Sequence, residues 1–255
     1  MKIVVKVGTS TLAHSTGRFN IRRVENLCKV LSDIKNEGHD LILVSSGAIG
    51  LGVGKLNLAG KPEDMATKQA AAAIGQCELM YFYDNQFMRY NHIISQILIT
   101  SMDFENETSK CNFQNTVNRL LELKVMPVIN ENDTIVTDEI SVGDNDTLGA
   151  IVAKTVGADL LIILSDIDGF YTADPRKVPD ARIIDTVTEV TPEILDLAGS
   201  EGTRLGTGGM VTKIHAAEIA MNAGIEMVLA NGKEPENIYR ILDGEKVGTR
   251  FTPCK

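Results

Sequence analysis

The sequence predicts an α/β protein with a mainly parallel β-sheet covered by helices on both faces. Two observations carry this prediction. Short runs rich in Val, Ile and Leu alternate with longer stretches of helical periodicity along the 255 residues. The short runs are apolar almost throughout, as expected for parallel strands buried on both sides.

Ile3–Val7 is the first strand run, ending in the turn Gly8-Thr9-Ser10. A helix follows over Ile21–Glu37, with Gly38 just past its end, where a C-terminal glycine is expected. The second strand, Asp40–Val44, leads into Ser45-Ser46-Gly47. Pro62–Arg89 is a long helical stretch, and its Tyr81, Phe82 and Tyr83 read as core or subunit contact. Strands over Ile93–Thr100 and Val125–Asn130 flank a helix over Phe113–Leu123, and the cluster Asn130-Glu131-Asn132-Asp133 follows. A helix over Thr147–Thr155 precedes the strand Leu160–Leu164, which opens into Ser165-Asp166-Ile167-Asp168-Gly169. The stretch from Asp166 to Asp185 reads as an exposed loop or hairpin. Thr191-Pro192-Glu193 is a helix start, with a capping residue, a proline in the first turn and an acid. Met210–Ala223 is helical, is followed by Gly224, and leads to the last strand, Glu226–Ala230.

Such sheets bind ligands beyond the carboxyl ends of their strands. The polar clusters fall there: after the first and second strands, after the Val125 strand and after the Leu160 strand. The stretch Leu205-Gly206-Thr207-Gly208-Gly209-Met210-Val211-Thr212-Lys213 adds a phosphate signature. Glycines let the backbone approach a phosphate, a helix start directs N–H groups at it, and the lysine adds a mobile charge. Lys213 lies in the first turn of its helix, where its charge opposes the dipole, so an anionic ligand explains it better than stability does. Lys6 inside an apolar strand is costly unless its head reaches an anion or a polar pocket. Gly143-Asp144-Asn145-Asp146 supplies two acids and an amide on a turn, suited to an ammonium group or to organising lysines.

Several readings are disfavoured. No G-x-x-x-x-G-K-[ST] occurs, and the pairs Gly54-Lys55, Gly60-Lys61 and Gly232-Lys233 lack both the following Ser/Thr and the strand context. The glycines from Gly47 to Gly54 miss the G-x-G-x-x-G register, which weakens a dinucleotide reading. The formal net charge of −9 argues against nucleic acid or an anionic membrane as partner. Cys28, Cys77, Cys111 and Cys254 are scattered without zinc spacing, and His14, His39, His92 and His215 form no acid–base pair. With no leader pattern and no apolar run of about 18 residues, a cytoplasmic protein is expected.

Lys6-Val7-Gly8-Thr9-Ser10, Val44-Ser45-Ser46-Gly47-Ala48-Ile49, Ile129-Asn130-Glu131-Asn132-Asp133-Thr134, Gly143-Asp144-Asn145-Asp146 and Gly206-Thr207-Gly208-Gly209-Met210 with Thr212-Lys213 resemble the amino acid kinase family. The S-S-G-A-I and N-E-N-D-T elements point within it to the branch that phosphorylates the γ-carboxylate of L-glutamate, the first step of proline biosynthesis.

The resemblance implies a three-layer αβα sandwich. It implies one domain over 1–255, with about 1–155 receiving the amino acid and about 156–255 the nucleotide. ATP is the implied co-substrate, with Mg²⁺, and the implied state is a homo-oligomer, a dimer or tetramer. Lys6, Lys213 and Asp146 would be catalytic, with Asp144 a possible helper. Ser46, Asp133 and Asn145 would hold glutamate. Ser165, Asp166, Thr207, Gly208, Gly209, Met210, Val211, Thr212 and Lys213, with Lys6, would hold ATP. No protein-side metal ligand is assigned. Many members carry a C-terminal PUA domain, which is not expected in a chain ending at Lys255. Another carboxylate or carbamate kinase of the same fold, or a non-catalytic sensor of amino acid or nucleotide, stays open at this point.

Overall fold

The computed structural model describes residues 1–135, 145–175, 177–199 and 209–253. Its strands are β1 (Lys2–Val7), β2 (Asp40–Ser45), β3 (Ile94–Ile99), β4 (Met126–Glu131), β5 (Leu160–Ser165), β6 (Thr186–Val187), β7 (Glu226–Asn231) and β8 (Thr249–Phe251). They form one sheet in the order β3-β4-β2-β1-β5-β7-β8-β6. Strands β1 to β5 and β7 are mutually parallel. All six apolar runs of the sequence are these strands.

The parallel pattern breaks at one edge, where β8 runs antiparallel to β7 and β6 pairs with β8. Strands of three and two residues are too short to leave a periodic signal, so the sequence reading did not contain them.

The helices are α1 (Thr9–Leu12), α2 (Ile21–Asn36), α3 (Ala48–Leu56), α4 (Met65–Met88), α5 (Ser101–Glu105), α6 (Glu107–Glu122), α7 (Asn145–Val156), α8 (Pro192–Gly199), α9 (Met210–Asn222) and α10 (Asn237–Leu242). Alternate residues of the central strands face two separate cores. Val4, Ile42, Val44 and Ile129 pack with α6, α7 and α9 through Val117, Leu148 and Ile214. Ile3, Val5, Leu41 and Leu43 pack on the other side with α2, α4 and α10 through Leu27, Leu79 and Ile238. The result is three layers, α on β on α. Among the described residues, no helix is long and apolar enough to cross a membrane.

The short helices α1, α5 and α10 are absent from the sequence reading, which took Gly8-Thr9-Ser10 as a turn, and two longer helices, α6 and α3, differ from it for identifiable reasons. Helix α6 starts at Glu107 rather than Phe113, because Asn106 caps it by accepting from the Ser109 N–H at 3.0 Å. Only Phe113, Val117 and Leu121 of α6 are buried, so the apolar stripe marks just its second half. Helix α3 is absent from the sequence reading: it carries Gly50, Gly52 and Gly54, which lower local helix propensity. Its glycines serve packing: a Cβ on Gly52 would stand 1.8 Å from the Ala71 carbonyl oxygen, and one on Gly75 1.8 Å from that of Ala48. Backbone-to-backbone contact between α3 and α4 therefore overrides propensity. This contact fixes α4 beneath the carboxyl ends of β2 and β4.

Candidate active site

Strand β1 lies between β2 and β5, so Lys6 is in the middle of the sheet rather than on a wet edge. Its residue is 7% exposed. Its side chain is on the face covered by α7, where Gly149 packs over its stem; a Cβ there would lie 3.3 Å from the Lys6 Cβ. The charged head reaches Asp146 Oδ1 in the first turn of α7. Lys213, in the first turn of α9, donates to Asp146 Oδ2 at 2.9 Å. Two cations from distant parts of the chain thus share one fully buried carboxylate. Burial by itself raises the Asp146 pKa, but the charges of Lys6 and Lys213 and their hydrogen bonds outweigh it and hold the carboxyl below its ordinary value. The helix dipole at the start of α7 favours the same ionised state.

Asn145, the neighbour of Asp146, enters a second network. Its Nδ2 donates to Ser46 Oγ at 2.8 Å and to Asn130 Oδ1 at 2.9 Å. Ser46 precedes Gly47, whose φ of +108° lets the chain turn sharply from β2 into α3. Asp133 occupies the turn after β4. Burial and the charge of Glu131 raise its pKa to about 6, against the opposing pull of Lys61.

On the other half of the rim, Ser165 Oγ donates to Asp166 Oδ1 at 3.2 Å at the end of β5. The Gly232 N–H binds the Ser165 carbonyl at 2.7 Å, and Asn231 Nδ2 donates to Asp168 Oδ1 at 2.6 Å. Gly232-Lys233 directly follows β7, so the sequence expectation that this pair lacks a strand context is corrected. Helix α9 starts at Gly209 with no side chain capping it. Thr212 Oγ1 turns back to the Gly209 carbonyl at 2.8 Å, while Met210 packs on the core and Val211 is half exposed. Thr207, Gly208 and Asp144 lie outside the described residues.

The structure brings Lys6, Asp146, Lys213 and Thr212 together, and it joins Ser46 to Asn145. Two participants carry no assigned role in the sequence reading, Asn130 and Gln76. Asn130 stands within a cluster noted as polar. Gln76 sits in a small-residue helical run, where nothing local marks it. Among the described residues, no three His, Cys, Asp or Glu side chains converge as a metal site.

Paired lysines around a fixed carboxylate, at the carboxyl ends of parallel strands and beside an uncapped helix start, can neutralise and orient a phosphoryl group. Residues 1–231 match the model of the amino acid kinase family, and the chain belongs to that family, in the branch of the glutamate 5-kinases. It is 53% identical over 258 residues to the glutamate 5-kinase of Clostridium perfringens, spanning 100% of this chain and 96% of that one. It is 51% identical to the longer glutamate 5-kinase of Caldanaerobacter subterraneus subsp. tengcongensis, covering 68% of it. A crystal structure of isopentenyl phosphate kinase from T. acidophilum aligns over 98% of this chain and 100% of its own, with a TM-score of 0.68 and 17% identity. Carbamate kinase from Giardia lamblia, bound to AMP-PNP, aligns with a TM-score of 0.70 over 99% of this chain and 98% of its own at 17% identity. These two similarities concern the fold.

Proposed function

We propose that this protein transfers the γ-phosphoryl group of ATP to the γ-carboxylate of L-glutamate, giving L-glutamyl 5-phosphate and ADP, the first step of proline biosynthesis. The observation that carries the reading is the shared carboxylate, Asp146, holding Lys6 and Lys213 together at the strand ends. High identity to glutamate 5-kinases over the whole chain supports glutamate as the acceptor.

No general base is required. A γ-carboxylate with a reference pKa of ~4.3 is already ionised at neutral pH. One of its oxygens attacks the γ-phosphorus while the bond to the ADP oxygen breaks. The obstacle is bringing one anion onto another. Lys6 and Lys213 offset that repulsion, Asp146 keeps their heads close, and the start of α9 directs N–H groups at the phosphates. Ser46, Asn145 and Asp133 hold the amino acid. Ser165, Asp166 and the segment from Thr207 to Lys213 hold the nucleotide. Residues 1–155 thereby serve the amino acid and 156–255 the nucleotide. Mg²⁺, carried in by ATP, would offset phosphate charge there; among the described residues no three His, Cys, Asp or Glu side chains cluster to hold it.

The working form is a cytoplasmic homo-oligomer. Exposed Tyr81, Met88 and Ile93 beside the edge strand β3 support a second copy of the chain as partner.

The direct test is ADP release from Mg-ATP with and without L-glutamate, with hydroxylamine present to trap the acyl phosphate. Glutamate-dependent ADP and a γ-hydroxamate are expected. ATP binding without turnover on glutamate would refute the reaction.

A further inference from the structure

An amide can present either its oxygen or its nitrogen, and in a chain of amides one fixed member sets all the others. Here the fixed member is Asn130. Its Oδ1 accepts from the backbone N–H of Glu131 at 2.9 Å, and a backbone N–H can only donate. The Asn130 Nδ2 must therefore face the other way, and it donates to Gln76 Oε1 at 2.9 Å, inside the protein. Because Asn130 shows an oxygen to Asn145, Asn145 answers with Nδ2. The same Nδ2 also serves Ser46 Oγ. Asn145 Oδ1 is left buried with no hydrogen-bond partner among the described residues.

An unpartnered buried acceptor is costly in a folded protein unless a ligand donor meets it. A carboxylate cannot donate, so this oxygen cannot read the reacting end of glutamate. An ammonium group carries three donors and a charge, and it can. The chain Gln76–Asn130–Asn145 runs from α4 in one helical layer, across the tip of β4, to α7 in the other. Gln76 is its anchor, buried and one residue beyond the Gly75 contact that fixes α4.

We infer that Gln76 is a positioning residue for amino acid selectivity: by accepting from Asn130 Nδ2 it holds in place the Asn130 amide, whose direction the Glu131 N–H sets, and so keeps the Asn145 amide turned with Oδ1 toward the substrate's ammonium group. It touches neither substrate nor phosphate. The inference rests on the proposed reaction with L-glutamate.

The test compares L-glutamate with glutarate, which keeps both carboxylates and lacks the ammonium. The readout is the Ki of glutarate divided by the KM of L-glutamate, with the KM of ATP as control. Gln76→Met removes the acceptor at nearly constant size, and Gln76→Glu keeps an acceptor for Asn130. In Gln76→Met the ratio should fall at least about tenfold, as expected for a lost hydrogen bond to a charged group. The KM of ATP should stay within about twofold in that variant, the order of effect expected for a distant, independent site. Gln76→Glu should keep most of the selectivity. A Gln76→Met ratio like the wild type's, or equal loss of selectivity in both variants, would overturn the inference. So would weakening of glutamate, glutarate and ATP together. Absence of glutamate-dependent ADP release by the wild-type protein is a separate result: it removes the proposed reaction, and the selectivity argument with it.

Discussion

Asn145 and Asp146 open the same helical turn, yet their side chains enter different networks. Asn145 joins Ser46 and Asn130, while Asp146 gathers Lys6 and Lys213. One helix start thus ties together the two networks that the proposed reaction assigns to the amino acid and to the phosphoryl group. A small shift of α7 would disturb both, so variants are informative when they act on one network only.

Lys6→Met or Lys213→Met should lower kcat by about 100-fold, the scale of losing one preorganised charge at a developing transition state. The fold should survive, because each replacement keeps the apolar stem that packs in the core. Steady-state kinetics with a melting curve checks both halves. A variant with near-normal kcat would take that lysine out of the mechanism.

Asp146→Asn preserves shape but leaves two buried lysine heads facing each other. Breaking a buried pair in this way costs about 3 kcal/mol, or a fall in Tm on the order of 10 °C in a protein of this size. Saturating ATP should recover part of that loss, since its phosphates supply the missing negative charge. Differential scanning fluorimetry with and without nucleotide measures the two effects.

The Asp133 pKa is raised to about 6 by burial and Glu131, so glutamate binding at the proposed site should depend on pH. A raised value means that the proton is retained to higher pH. In the proposed site, where Asp133 helps to hold glutamate, its negative charge is therefore lost as pH falls through about 6. The KM of glutamate should rise below that pH and level off above it. In Asp133→Asn this acid limb should vanish and KM stay high throughout. A wild-type profile flat from pH 5 to 8 would remove Asp133 from the binding step.

Gly75→Leu should destabilise the protein by at least about 2 kcal/mol, because the added side chain must enter the backbone contact between α3 and α4. Chemical denaturation reads this directly. The same change at Gly60, where an added Cβ meets nothing within 4 Å, should be close to neutral.

Tyr81→Glu combined with Ile93→Glu places charge on an exposed apolar surface next to β3. If a second copy covers that surface, sedimentation velocity should show a shift to the monomer. An unchanged assembly would mean that the copies meet elsewhere.

Most strand runs were legible because they are buried on both faces and so are apolar almost throughout; β3, at the sheet edge, is only partly buried and carries Ser95 and Gln96. Lys6 of β1 was legible as an anomaly, since the interior of an apolar strand does not accept a charge without a reason. Helix α3 was not legible: its glycines lower local propensity, and only close packing makes them useful, Gly52 against Ala71 and Gly54 against Gly17. Tyr81 and Tyr83 could not be separated by sequence; Tyr83 is fully buried and hydrogen-bonded to Ser45 at 2.9 Å, while Tyr81 is exposed.

By itself the sequence determined the layered α/β class, the parallel order of local elements and the chemical type of the site. Periodicity and residue chemistry are local properties and are written in the chain. Only the tertiary structure decided that Lys6 and Lys213 meet on one carboxylate, and that Gln76, Asn130 and Asn145 join in one amide chain. Those contacts join residues far apart in sequence. Their distances follow from how the helices pack on the sheet, which no short stretch of sequence encodes.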